Sequence, residues 1–340
     1  MRATPGVCRF DARTAVQKSL HELHSLFLLG AIVLGAAPVA LAQHYPSKPV
    51  RLISAFAPGG GTDILARSIA TPVSDALGQP VVVDNRPGAG GTTGSELVAR
   101  AAPDGYTIII VASTYTATSA YEKPSFDPIN GIQPIILIGT TGLVLAVHPA
   151  LPVKSVRELI DYAKANPRKL NYASVGAGSV PHFAQELFKL ETGINMVHVP
   201  YKGSGPALIA LVGGEVQLTT VSMVSMLPHI KAGRVRALAI TPAKRSNLLP
   251  DVPAIGETVP GFEVVHWYGI WGPKGMPRPV VARWNLEVAK VLRTEEVRNR
   301  TRAEGLDTSG GPPEELGDLI RRDVEKWRKV VADAKIQREH

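Results

Sequence analysis

Three glycine-rich stretches carry the residues whose types and spacing could do chemistry. "AFAPGGGTD" (55–63), "RPGAGGTTG" (86–94) and "ASVGAGSVPH" (173–182) each lie between a strand-like run and a helix-like segment. Glycine lets a backbone approach a ligand closely. A helix start leaves N–H groups without intrahelical acceptors and carries a partial positive charge, so such a turn suits an anion. A carboxylate needs no Lys or Arg there, and the hydroxyls of Thr62, Ser113, Ser174 and Ser179 could add donors. An ordinary βα turn with a capping residue shows the same pattern, and that alternative stays open for each turn taken singly. Asp63, in the first helical turn, either complements the helix dipole, orders the loop or accepts a ligand donor. His182, just inside its helix, is either structural or a neutral donor to an anion.

Nucleotide chemistry fails on detail. A phosphate-binding loop needs Lys and Ser or Thr after the last glycine, but Thr62 and Asp63 follow Gly61. A dinucleotide fingerprint begun at Gly59, Gly88 or Gly176 would need glycine where Ile64, Thr93 and Pro181 stand. No serine sits in a G-x-S-x-G elbow, and the histidines after the leader do not pair at metal-ligand spacing. An Asp63–His182–Ser179 triad would force Ser179 and His182 to act from a single helical turn. The chain is therefore not expected to be an enzyme: no catalytic residue, metal or cofactor is assigned.

The turns need strands and helices to position them. Strand-like "PVRLISAF" (49–56), "PVVVDN" (80–85) and "YTIIIVAS" (106–113) alternate with helix-like segments at 62–77 and 91–102. The last strand is a continuous apolar run, as in parallel sheets buried on both faces. After "PIILIGTTGLVLAVHP" (134–149) the alternation resumes, with helices near 155–166, 181–192 and 205–214 and strands near 170–174, 195–200, 216–222 and 235–241. The end, from 279 to 335, reads as helices without strands of their own that return to cover the first half. Such alternation argues an α/β architecture of mostly parallel sheets, divided into two lobes.

Arg2, Arg9, Arg13 and Lys18 precede the short apolar "SLFLLGAIVLGAAP" (25–38), and "ALA" (40–42) supplies small residues for cleavage. Residues 1–42 are expected to be a secretory signal peptide. Its removal leaves 298 residues and lowers the net charge from +8 to +6. The single cysteine, Cys8, lies in that leader, which excludes a disulfide scaffold or a thiolate nucleophile from the remainder. No basic cluster is interleaved with aromatics, so nucleic acid is not an expected partner.

The motifs also resemble a known family. "YPSKPVRLISAFAPGGGTDILAR" (45–67), "LGQPVVVDNRPGAGGTTG" (77–94), "AAPDGYTI" (101–108) and "KANPRKLNYASVGAGSVPHFAQELF" (164–188) stand in order. "HVPYKGSGPAL" (198–208), "GGEVQL" (213–218), "HIKAGRVRALAIT" (229–241), "LPDVPAIGE" (249–257) and "WYGIWGPKGMP" (267–277) follow. Together they resemble the Bug, or TctC-like, extracytoplasmic solute receptors of tripartite tricarboxylate transporters, over nearly the whole chain after the leader. The resemblance implies a two-lobed, type II-like periplasmic binding protein, each lobe a mostly parallel sheet flanked by helices, with the C-terminal helices packing on lobe 1. Lobe 1 is expected at 43–144 with 264–340, and lobe 2 at 145–263.

What the family implies of the site falls on Phe56, Gly60, Gly61, Thr62 and Asp63 of the first-lobe loop, and on Ser174, Gly178, Ser179 and His182 of the second. Ser113, Thr114, Tyr201 and Ser222 complete the expected set. The implied partners are a small organic carboxylate and the membrane permease subunits of the transporter. The implied state is a periplasmic monomer. A ligand sensor acting through a membrane signalling protein is the alternative, and a secreted hydrolase is a weaker one. Where relatives often carry Phe-Asp, this chain has Val221–Ser222. Loss of that acid points to a ligand without an ammonium group, a plain mono- or dicarboxylate, aromatic acids included. His182→Ala is expected to weaken binding with the fold intact.

Overall fold

Apolar β-branched runs set the sheets, and the computed structural model describes residues 45–122 and 124–333 of the chain. The leader expected over 1–42 lies outside the described residues. Strands β1 (Val50–Ser54), β2 (Val81–Asn85) and β3 (Thr107–Ala112) pair in parallel, with Leu52 facing Val83 on one side and Ile108 on the other. Helices α1 (Gly61–Leu77) and α2 (Thr92–Ala99) are the crossovers. The β3 run is buried almost throughout, so its apolar side chains lose water on both faces.

A segment not expected to be helical, α3 (Thr114–Glu122), follows β3. Its "TYTATSAYE" is rich in threonine, whose branched side chain disfavours helix in isolation. Seven of its nine residues are buried, and tertiary packing overrides propensity there.

Strand β4 (Ile132–Val147) is sixteen residues long and joins the two halves. Its first part, to Gly142, pairs antiparallel with β9 (Val265–Pro273). Its second part, Leu143–Val147, pairs antiparallel with β7 (Leu218–Ser222) and β8 (Arg236–Ile240). Beyond β7 lie β5 (Asn171–Ser174) and β6 (Val197–Pro200), parallel to one another, with β5 also parallel to β7. Four helices connect this second half: α4 (Val156–Ala165), α5 (Val180–Thr192), α6 (Ser204–Val212) and α7 (Met223–Lys231). Local chemistry fixes their ends. Ser155 caps α4 by accepting the Glu158 amide at 3.1 Å, and Val156, Leu159, Ile160 and Ala163 bury its inner face.

The C-terminal part returns to the first sheet as expected, but it brings strands of its own. β9 inserts antiparallel between β3 and β4, and β10 (Leu306–Thr308) pairs with β4 at Gly139–Thr141. The aromatic and β-branched residues of "VHWYGIWGP" favour strand, and their place at the sheet centre buries nearly all of them. Three helices complete the cover: α8 (Arg278–Arg293), α9 (Glu295–Ala303) and α10 (Pro313–Asp333).

Helix α10 touches both halves. Trp267 of β9 donates its indole N–H to Asp323 at 2.6 Å. One turn on, the Trp327 ring packs 5.4 Å from Phe183 of α5, and Phe183 also meets Tyr121 of α3 edge-on at 5.9 Å. Phe183→Ala should therefore lower unfolding free energy by about 3–5 kcal/mol in a denaturant titration. A loss below about 1 kcal/mol would show that this aromatic junction is not packed as described.

Candidate functional site

The first glycine loop is held by one buried carboxylate. Asp63, 4% exposed, accepts the Gly59 amide, the Arg67 Nε–H and the Asn85 Nδ2–H, each at 3.0 Å. Asn85 Nδ2 also reaches the Phe56 carbonyl at 3.0 Å. Burial by itself would raise the Asp63 carboxyl, but these hydrogen bonds outweigh it and hold the group below the usual carboxylate range. Of the roles open to Asp63, the geometry shows the ordering of the loop. Gly59 adopts φ +79°, which favours glycine. The N-cap of α1, Gly60, offers no side-chain acceptor to the first turn. The leading N–H groups of α1 therefore have no partner from helix or cap.

Those groups face a small cavity with room for only about 20 Å³ of water-sized spheres. Five helices of the described residues begin around it. Gly60–Thr62 open α1, Thr114 opens α3, Pro181 opens α5, Ser204 opens α6, and Ser222 caps α7. Each helix N-terminus contributes roughly half a positive charge. Neither Lys nor Arg lines the cavity, so its positive potential comes from peptide dipoles. The Thr62 hydroxyl lines the same space, is buried, and has no hydrogen-bond partner. It is a donor awaiting an acceptor.

Two side chains of β9 close the floor. His266 is buried, and its Nδ1 lies 2.5 Å from Ser113 Oγ. Burial lowers its pKa to about 3, so the ring is neutral at ordinary pH. Tyr268 is also buried; burial raises its phenol far above the usual value although a hydrogen bond with Ser222 acts the other way. A Cβ built on Gly61 would lie 2.0 Å from the Tyr268 hydroxyl oxygen, so glycine is required by contact.

The expected residues divide by position. Phe56, Gly60, Gly61, Thr62, Thr114 and Ser222 line the cavity. Ser113 stands behind it, against His266. In the third glycine turn the side chains are engaged within the turn and its neighbours. Ser174 Oγ pairs with His198 Nε2 at 2.6 Å, and Ser179 caps α5 by accepting the His182 amide at 3.2 Å. His182 Nδ1 accepts the Gly178 amide at 3.1 Å. That turn presents Val175 and Pro181 to the cavity instead. Tyr201 lines a separate chamber, which also touches Phe56.

His182 is buried and stacked on His198, with ring centroids 4.0 Å apart. Burial first, then His198 and Lys189, lower its pKa to about 3. Removing the ring would strand the Gly178 amide and open a hole among Tyr172, Phe183 and His198. His182→Ala is thus a stability variant as well as a binding one, which corrects the expectation of an intact fold.

Sequence reasoning missed Asn85, Ser204, His266 and Tyr268, and within the expected loop 174–182 it singled out Ser174, Gly178, Ser179 and His182 and not Val175 and Pro181. His266 and Tyr268 are two apart on one strand, so they share a face; a polar pair on a mostly apolar strand was the available signal. It also missed how the start of α6 meets the first loop. A Cβ on Gly205 would lie 2.4 Å from the Pro58 carbonyl oxygen, and the Ala57 amide donates to the Lys202 carbonyl at 3.0 Å. Two bare stretches of backbone touch there.

Comparisons with known proteins bear on the family and the fold. A family model described as "Tripartite tricarboxylate transporter family receptor" matches residues 65–336. The structure of the periplasmic binding protein BugD is 34% identical with a TM-score of 0.84, covering 87% of this chain and 100% of that one. R. palustris Rpa4515 with adipate is 38% identical with a TM-score of 0.83, covering 86% and 99%. MatC from Rhodopseudomonas palustris with bound malate is 33% identical with a TM-score of 0.81, covering 84% and 100%.

The two buried histidines give the protein an acid-sensitive stability. Below about 6.5 an unfolded histidine takes up a proton that the folded rings refuse until about 3. The unfolded state then binds more protons, so stability falls as pH drops through that window. Thermal midpoints measured from pH 7 to pH 4 should decline, and His266→Asn should make the decline shallower. An unchanged slope in that variant would show that His266 is not held neutral.

Proposed function

Because the chain belongs to the tripartite tricarboxylate transporter receptor family, TctC, we propose that it captures a small organic carboxylate between its two lobes. The observation that carries this reading is the meeting of five helix N-termini, with the unpartnered Thr62 hydroxyl, on one cavity without a charged side chain. A carboxylate there accepts from the leading amides of α1 and from Thr62. Closure of the second lobe adds the starts of α5, α6 and α7 and excludes water. Only a ligand that contacts both lobes shifts the balance towards the closed form. The adipate and malate held by the two R. palustris proteins support this ligand class.

No acidic side chain lines the cavity. Asp63 is turned to Gly59, Arg67 and Asn85, and Ser222 is neutral. An ammonium group would find no counter-charge, so the ligand is an acid without one. Ser113 and His266 resemble a nucleophile and base in distance, but a ring with a pKa of about 3 is too weak a base to take a serine proton at neutral pH. We read the protein as a receptor and not an enzyme.

The lobes are taken as 43–144 with 264–340 and 145–263, turning about β4 and the entry to β9. A periplasmic location follows from the kinship to periplasmic binding proteins. Export by the leader, a monomeric state and delivery to membrane permease subunits complete the proposal. No described helix is long and apolar enough to cross a membrane.

Thermal shift and calorimetry against a panel of organic acids test the reading, since a ligand of the native state raises its apparent stability. Gly61→Val should lower affinity by about a hundredfold, roughly 2.7 kcal/mol, with circular dichroism confirming the fold. Wild-type affinity in a folded Gly61→Val protein would overturn the site. Acidic amino acids binding tighter than their deaminated analogues would overturn the exclusion of an ammonium group.

A further inference from the structure

The inner cavity is too small for the body of an acid. Its room, about 20 Å³, is that of one or two water-sized spheres. A carboxylate group fits; the carbon chain behind it does not. That chain must extend beyond the cavity. A second chamber with room for about 210 Å³ shares two residues with the first, Phe56 and Val175. Phe56 and Val175 stand where the two spaces meet.

The outer chamber uses the glycine turn that the inner cavity leaves idle. Residues 88–91 form one side of it, all four at positive φ: Gly88 +146°, Ala89 +44°, Gly90 +58° and Gly91 +96°. Ala89 is one of two non-glycine residues at positive φ among those described. Glycine adopts such conformations freely, but Ala89 held there costs energy, and strain of that kind gathers at ligand clamps. The opposite side is the Gly176–Ala177 backbone, so close that a Cβ on Gly176 would lie 3.1 Å from Gly90 Cα. Thr118 fixes the turn by donating to the Gly90 carbonyl at 3.1 Å. Among the described residues lining this chamber Lys202 alone is charged, and it is exposed. Its carbonyl holds the Ala57 amide, so the residue is fixed at the junction of the two loops.

We propose that this outer chamber is the subsite for the far end of the ligand, in which Lys202 receives a second carboxylate. The inference rests on the carboxylate-receptor reading. It makes Phe56 and Lys202 the residues that select for chain length and for a second charge. The preferred ligand is an unbranched dicarboxylate long enough to pass the Phe56 ring.

Calorimetry on the wild-type protein with adipate and with hexanoate, which share a chain length and differ in the second carboxylate, tests it. Adipate should bind about tenfold tighter or more. Lys202→Gln changes an exposed side chain and keeps the backbone bond, and it should remove most of that preference. A filling variant, Ala177→Leu, should weaken adipate more than acetate. Equal affinity for adipate and hexanoate, or a preference that survives Lys202→Gln, overturns the subsite while leaving the receptor reading intact. Failure of acetate, hexanoate and adipate alike to bind the wild-type protein overturns both. A crystal structure with adipate directed away from the 88–91 turn also overturns the subsite.

Discussion

The site depends on where the charge of Asp63 goes. A carboxylate buried in the first turn of α1 would repel an incoming anion. Here it is turned away and occupied by the Gly59 amide, Arg67 and Asn85. The same bonds hold the loop so that the amides opening α1 remain available. Asn85 extends the restraint to the Phe56 carbonyl. One acid thus both shapes the loop and keeps its own charge out of the cavity. Arg67 is half exposed, so solvent screens its ion pair with Asp63.

The rest of the fold serves the convergence of helix starts. Parallel strands bring every crossover helix to begin at the same edge, and the cavity lies at that edge in both halves. The antiparallel strands β4 and β9 do a different task. β4 belongs to both sheets, with pairing that passes from β9 to β7 and β8 between Gly142 and Leu143. β9 carries His266 and Tyr268 to the cavity floor while its own core is bonded to β3 and β4. The strand that reaches the cavity, β9, is thus bonded along its length to β4, the strand that crosses between the halves. Helix α10 ties the arrangement from outside, through Asp323 to Trp267 and through Trp327 to Phe183.

Much of this was legible in the chain, and the gaps have physical reasons. The strands around 50–54, 81–85 and 107–112 announce themselves as apolar β-branched runs, and the glycines at 59–61 mark a turn with a ligand-facing backbone. Helix α3 was hidden because threonine-rich sequence argues against helix until burial is known. β9 was hidden because it follows a long loop and pairs with strands far away in sequence, a contact that local pattern does not contain. The side chains of Ser174, Ser179 and His182 had the right types for ligand contact. Their internal partners, His198 and the amides of His182 and Gly178, become visible only in three dimensions. Ser204 and Tyr268 enter the site through close approach of bare backbone, and a glycine in a sequence does not say what will lie beside it.

An anchor made of main-chain amides has an inheritance unlike that of an anchor made of side chains. Every residue possesses an amide, so apart from Thr62, whose hydroxyl is also a donor, substitutions around the inner cavity would leave the proposed grip on one carboxylate in place unless they add bulk, as at Gly61 against Tyr268. The proposed outer subsite has no such protection, because there Lys202 and Phe56 would act through their side chains. A lineage of such receptors is free to drift from one acid to another at that end, generation by generation, without passing through a form that holds nothing.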